Sequence, residues 1–171
     1  MKLLVLLAVV LASSVVCYPQ TALRDINPSE LQAVLDLPLN QAVRQRTIYK
    51  EPLTAAYNRQ IAMTDKDCRI ESEKGQQPYN ICMGHAEEQA NEDFAIFYNN
   101  LQVLCHDQFQ LKTLQASLKA WRTYQDSAMK ATRAAWSGGS GASGFAAQVY
   151  LSLLRNYMRE LHEIFGLNIA Q

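Results

Sequence analysis

Cys68, Cys82 and Cys105 lie in the body of the chain, and Cys17 sits at the end of an apolar N-terminal run. A thiol can ligate a metal, attack an electrophile or close a disulfide, so spacing must decide among these. Cys82 with His85 and Cys105 with His106 read as two halves of a nitrogen–sulfur metal site. If residues 79–105 form one helix, 23 rises of about 1.5 Å place the halves roughly 34 Å apart, which excludes a shared ion within one chain. That separation also forbids a Cys82–Cys105 bridge, because disulfide Cα atoms lie within about 7 Å. Cys68 is the available partner. Cys68–Cys82 is preferred, since the polar residues between them can fold back onto the start of the helix, a closure worth on the order of 3 kcal/mol. Cys105 then stays as a buried thiol, and Cys68–Cys105 is the alternative pairing.

Glu87, Glu88, Glu92 and Asp93 could be paired carboxylates for acid–base work, but that chemistry needs a cleft that separates their pKa values. Their positions fall mainly off the apolar stripe of the helix, which predicts a solvated acidic face. Gly138-Gly139-Ser140-Gly141-Ala142 approaches a nucleophile elbow, yet Ala142 replaces the last glycine and the flanking periodicity is helical on both sides. Serine hydrolysis is therefore rejected. The run Ser137 to Gly144 can reverse the chain, or its free N–H groups can accept an anion or a partner's carboxylate. Trp136 beside it can anchor a partner or close the end of the helical core. His162 has no evident ligand partner in the sequence.

Three amphipathic helices must position these residues. Met83, Ala86, Ala90, Phe94, Phe97, Leu101 and Leu104 recur at three- and four-residue steps. Leu111, Leu114, Leu118, Trp121, Ala128 and Ala135 repeat the spacing, as do Phe145, Val149, Leu153, Tyr157, Leu161 and Phe165. The prediction is an all-α, up-down bundle of helices over about 79–105, 108–136 and 145–165. Short N-terminal helices broken by Pro38 and Pro52 would cover its open side, the first capped by Asn27, Pro28 and Glu30. Residues 65–77 lack periodicity and read as a loop.

The chain's ends and charge narrow the function class. Residues 1–17 combine Lys2, an apolar run from Leu3 to Leu11 and small residues, the pattern of a signal peptide too short to span a bilayer. Val15 and Val16 fit a lipidated Cys17 poorly. Export to the periplasm or beyond favours disulfides over thiolate–metal chemistry. The 171 residues, 49% apolar, suit one compact domain. Removing Lys2 from 16 basic residues leaves 15 against 16 acids, a formal charge of −1. That balance argues against nucleic acid as partner.

The stretch from Cys68 to Phe165 resembles the lysozyme inhibitor LprI-like family of small exported helical domains. The matching residues are Cys68 and Cys82, Tyr98 followed by Leu101, Leu114, Trp121, Tyr124, Asp126, the turn Gly138-Gly139-Ser140, and Glu160-Leu161. With the residue patterns before it, the resemblance leaves the chain divided into a leader (1–17), N-terminal helices (18–67) and the family-like domain (68–171), and it covers only the last. It implies a domain that binds another protein, with lysozyme inhibition as the named activity, without catalysis or cofactor. Trp136, Ser137, Gly138, Gly139, Ser140, Glu88 and Glu92 are the candidate partner-binding residues. The family usually carries Gln where Leu118 stands, Arg where Gln125 stands, an arginine near Tyr157, and a second cysteine pair, one of whose positions is Met129 here. A loop without that second staple is freer to move, and a polar cluster around Asp126 lacks its usual arginine.

Overall fold

The computed structural model describes residues 22–63, 66–137 and 139–170, and the signal-peptide reading of residues 1–17 lies outside the described residues. Among the described residues the chain forms six helices and no strand: α1 (Pro28–Leu35), α2 (Leu39–Ala62), α3 (Lys66–Glu73), α4 (Gln76–Val103), α5 (Gln108–Ala135) and α6 (Ala142–Ala170). The all-α bundle read from periodicity is the observed fold, and its long helices start and stop close to the expected positions.

Helices α2, α4, α5 and α6 alternate in direction. Arg46 of α2 reaches the Leu104 carbonyl after α4, and Arg59 reaches Asp93, so α2 and α4 run antiparallel. α4 and α6 run parallel: Gly144 lies against Tyr79 and Asn80, and further along the rings of Phe94 and Tyr157 are 6.0 Å apart. α5 returns against α6, with Trp136 on Phe145 and Ser117 on Tyr157. α4 and α6 form the centre, with α2 and α5 as flanks. One core joins Leu31, Leu53, Phe94, Phe97, Leu101, Leu114, Leu154 and Leu161.

The N-terminal helices depart from expectation. The cap of α1 forms as read, with Ser29 N–H donating to Asn27 Oδ1 at 2.9 Å and Glu30 accepting from Asn27 N–H. Pro38 breaks the chain by opening α2, but Pro52 sits inside that helix without interrupting it. Proline removes the donor for the Ile48 carbonyl. Ile48 is on the exposed side, so water can replace that donor, while Leu53 and Ala56 are buried against the core. α2 is thus a full member of the bundle. The expected loop over 65–77 is also corrected: α3 forms within it, packs on α4 and ends at Gly75, whose φ of 124° suits glycine. The Cys68–Cys82 bridge is present with Cα atoms 5.7 Å apart, which supplies the tertiary anchor that a short polar helix needs.

Two stripes are shifted. In α6 the buried hydrophobic residues are Ala146, Ala147, Leu151, Leu154, Tyr157, Met158, Leu161 and Phe165, so Tyr157, Leu161 and Phe165 of the expected stripe are inside, whereas Val149 and Leu153 are only half-buried and Phe145 is exposed. A central helix with neighbours on three sides buries a wider face than a flank does. In α5, Leu111, Leu114 and Leu118 are buried, Trp121 and Ala128 are half-buried and Ala135 is exposed, so burial thins toward the end where Trp136 meets Phe145 of α6.

Residues 22–27 form an extended strap between α4 and α5. Asn99 Nδ2 donates to the Ala22 carbonyl at 3.0 Å and its Oδ1 accepts from Arg24 N–H at 3.1 Å. Gln102 repeats the pattern on the Arg24 carbonyl at 2.7 Å and Ile26 N–H at 3.0 Å, and Gln115 of α5 donates to the Ile26 carbonyl at 3.1 Å. Ile26 is buried in the gap, which explains why α4 and α5 backbones meet so little directly.

Candidate functional site

The glycine-serine turn joins α5 to α6 at one end of the bundle. Trp136 caps α5 by donating its N–H to the Thr132 carbonyl, then lays its ring on Phe145 at 4.1 Å with the planes 12° apart. Both remain accessible, Trp136 at 48% and Phe145 at 37%. The tryptophan therefore closes the end of the bundle and still offers an aromatic face outward.

The turn is held mainly by α4. Asn80 Nδ2 donates to the Ser140 carbonyl at 3.0 Å, and its Oδ1 accepts from Gln76 Nε2 at 2.8 Å. Gly144 lies so near Tyr79 and Asn80 that a Cβ there would meet ring carbon Cε1 at 2.5 Å. Within the turn, Gly139 N–H donates to the Trp136 carbonyl, Ala142 N–H to that of Gly139, and Phe145 N–H to that of Gly141. Donors committed this way serve a chain reversal and weaken the anion-cradle reading. Ser137, Gly139 and Ser140 are exposed, and Gly138 lies outside the described residues.

Beside the turn a groove of about 330 Å³ runs between α5 and α6, lined by Glu87, Met129, Arg133, Ser143 and Ala146. Glu87 is the acid that reaches this end. Glu88 and Glu92 are exposed on another face of α4 and line no part of the groove, so the structure does not bring them together with Trp136. Glu88 instead faces His85 at 3.4 Å in an exposed setting.

Asp93 corrects the expectation of a wholly solvated acidic face, because it is 3% exposed and points at α2. Arg59 Nε donates to its Oδ1 at 3.0 Å and Gln60 Nε2 to its Oδ2 at 2.7 Å. A buried carboxylate persists only with such partners, so Asp93 is a rivet between helices.

The residues that carry the family resemblance divide sharply. Tyr98 is wholly buried, and Trp121 stacks on Tyr157 at 4.7 Å while packing on Phe94 at 5.6 Å. Tyr124 and Asp126 are exposed, and Asp126 lines a shallow groove of about 510 Å³ with Asp25, Lys119 and Arg122. Burial pushes the Tyr157 hydroxyl up to about 12 against the opposing hydrogen bond with Ser117. Burial and Glu87 raise Tyr150 to about 12, and burial followed by Asp25 raises Tyr98 far above the ordinary phenol value. Burial likewise lifts Cys105 to about 12, which keeps it a neutral thiol. These groups stay protonated through the neutral range and serve packing.

Among the described residues no cluster of three or more His, Cys, Asp and Glu side chains could hold a metal ion, and no helix is long and apolar enough to cross a membrane. Cys105 is buried and free. His162 stacks its ring on Tyr57 at 4.2 Å.

Sequence reading missed two features. One is a groove of about 710 Å³ lined by Val43, Arg46, Lys50, Thr54 and Ala55 of α2 with Leu104. The other is the set of amides at Asn99, Gln102 and Gln115 that hold the strap. Gln102 sits beside Leu101 on the apolar stripe, and a polar residue there is the one signal that could have revealed it. No protein family, curated protein or solved structure matches the chain.

Proposed function

We propose that this chain is an exported, non-catalytic helical domain that acts by binding another protein, with lysozyme as its target. The observation that carries the reading is the half-exposed Trp136–Phe145 stack beside the Glu87-containing groove, held in place by the Asn80–Ser140 hydrogen bond. Tryptophan in a preorganised, partly desolvated position is a common binding anchor. The disulfide favours an oxidising compartment, in keeping with the leader and the LprI-like resemblance. Lysozymes are commonly basic, so the exposed Glu88 and Glu92 would add steering from a neighbouring face.

The test is a titration of lysozyme activity with the disulfide-bonded chain beginning at residue 18, alongside a direct measurement of complex formation. Expected is a stoichiometric loss of lytic activity, weakened about tenfold or more by Trp136→Ala and made more salt-sensitive or slower to associate by altering Glu88 and Glu92. A molar excess that leaves several lysozyme types fully active sinks the lysozyme assignment.

The second reading is an envelope structural or adaptor protein that docks through its N-terminal helices. Leu39, Val43 and Ile48 are exposed on α2, and Val43 borders the groove of about 710 Å³. A pull-down from envelope extract that recovers an assembly component, is lost on Val43→Asp and contains no muramidase would favour it.

A further inference from the structure

The strap is bound in the manner of a ligand. Its main chain is read at three alternate residues: Asn99 takes the Ala22 carbonyl and Arg24 N–H, and Gln102 takes the Arg24 carbonyl and Ile26 N–H. Gln115 completes the set on the Ile26 carbonyl and also donates to Gln102 Oε1 at 3.0 Å, which fixes the orientation of the central amide. Side-chain amides that pair with both the donor and the acceptor of an extended chain do for it what a neighbouring strand would do. Such contacts tolerate any residue type.

Side chains are read at three places, the first being Leu23, which is half-buried against the core. Ile26 is 2% exposed between α4 and α5. Asp25 points the other way and shares the shallow groove with Lys119 and Arg122 of α5. Ala22, Arg24 and Asn27 are exposed and the Asn99 bonds lie at the surface, so the strap can peel from its first residue inward once Leu23 leaves the core.

We propose that the groove between α4 and α5 is a receptor for an extended peptide of a partner protein, one carrying an acidic residue followed by an aliphatic one, and that residues 22–27 are its resident occupant. The groove lies toward the opposite end of the bundle from Trp136, and the proposal stands independently of lysozyme binding. Tethering gives the strap an effective concentration on the order of millimolar. A competing peptide therefore registers only where the strap is loosened or the partner holds on elsewhere as well.

The test uses the disulfide-bonded chain from residue 18 and a fluorescein-labelled peptide with the sequence of residues 21–27, followed by anisotropy. Arg24→Pro removes the N–H given to Asn99 at the exposed end of the strap, and Ile26→Ala weakens its buried anchor. Either variant should bind the peptide about tenfold or more tightly than the unaltered chain does. Adding Gln115→Ala should reverse most of that gain, and a peptide with lysine in place of the aspartate should bind about fivefold or more weakly. If Ile26→Ala fails to fold, Arg24→Pro decides alone. Equal binding by loosened and unaltered chains, with helicity and disulfide intact, overturns the proposal, as does binding indifferent to Gln115→Ala. A strap-exchanged dimer of the unaltered chain in light scattering would assign the groove to a second copy and overturn it also.

Discussion

Replacing glycine by alanine at two helical positions should move stability in opposite directions. At Gly84, inside α4, an added Cβ meets nothing within 4 Å. Alanine then gains about 0.5–1 kcal/mol from the reduced freedom of the unfolded chain. At Gly144, in the first turn of α6, the same atom would lie 2.5 Å from Tyr79 Cε1, 2.7 Å from Asn80 Oδ1 and 2.8 Å from Tyr79 Cδ1. Overpacking of that kind costs about 1–3 kcal/mol, and the propensity gain is smaller at a helix end, so the net loss is about 0.5–2 kcal/mol. For a chain of this size, each kcal/mol moves the melting temperature by about 2–4 °C. Urea unfolding followed by far-ultraviolet circular dichroism should raise the midpoint for Gly84→Ala and lower it for Gly144→Ala at unchanged slope. Tyr79 and Asn80 must move to admit the new methyl, so hydrogen exchange around Ser140 should quicken in the second variant. Equal stability of the two variants, or a stabilised Gly144→Ala, would refute the close approach that seats the turn on α4.

Removing the Cys68–Cys82 bridge by Cys82→Ser should cost about 3 kcal/mol by loop entropy, and hydrogen exchange should rise first in α3, whose main neighbour is α4. Arg59→Ala should cost about 1–3 kcal/mol in denaturant unfolding, because it leaves Asp93 buried with Gln60 as its remaining partner while the half-exposed site lets water in; Asp93→Asn should cost less, since no buried charge is stranded. Alkaline pH should destabilise the fold: the unfolded chain loses the Cys105 proton near 9.0 and the Tyr150 and Tyr157 protons near 10.0, whereas the folded chain holds all three to about 12. The unfolded state then binds fewer protons, so the stability these three groups contribute is full below about pH 9 and falls between there and 12, and Cys105→Ala should flatten the first part of that fall.

Periodicity made the helices of the second half legible because each buries one side of a long cylinder, and Phe94, Leu114 and Leu161 mark those sides. It failed for α2, where Leu53 and Ala56 bury a narrow face and Pro52 suggested a break. The proline rule counts a lost hydrogen bond, but at an exposed carbonyl water replaces it while packing on α4 is kept. α3 was illegible for a different reason: Lys66–Glu73 has little to bury, and a covalent bond to α4 holds it. Asp93 was read with its acidic neighbours because sequence shows an acid and hides the arginine that meets it across the bundle. Of the candidate residues, Trp136 and the turn adjoin in the fold as they do in the chain, whereas Glu88 and Glu92 follow a helix face that turns away from them.

The residues that suggested a family also bear on where its activity would reside. Tyr98, Leu101, Leu114 and Trp121 are core positions, so the packing of three helices is enough to require them whatever the chain binds. Tyr124 and Asp126 are exposed and lie outside the core contacts, which makes them free to vary with a partner. A likeness carried mostly by interior residues speaks to architecture, and partner choice has to be written in the surface that architecture presents. Here that surface has two ends of different chemistry. One offers a rigid aromatic stack beside mixed charge, and the other a groove whose amides grip backbone irrespective of sequence. Substitutions at Trp136 and at Gln115 leave the Phe94–Trp121–Tyr157 centre untouched, so their separate effects on binding test the two proposed surfaces apart.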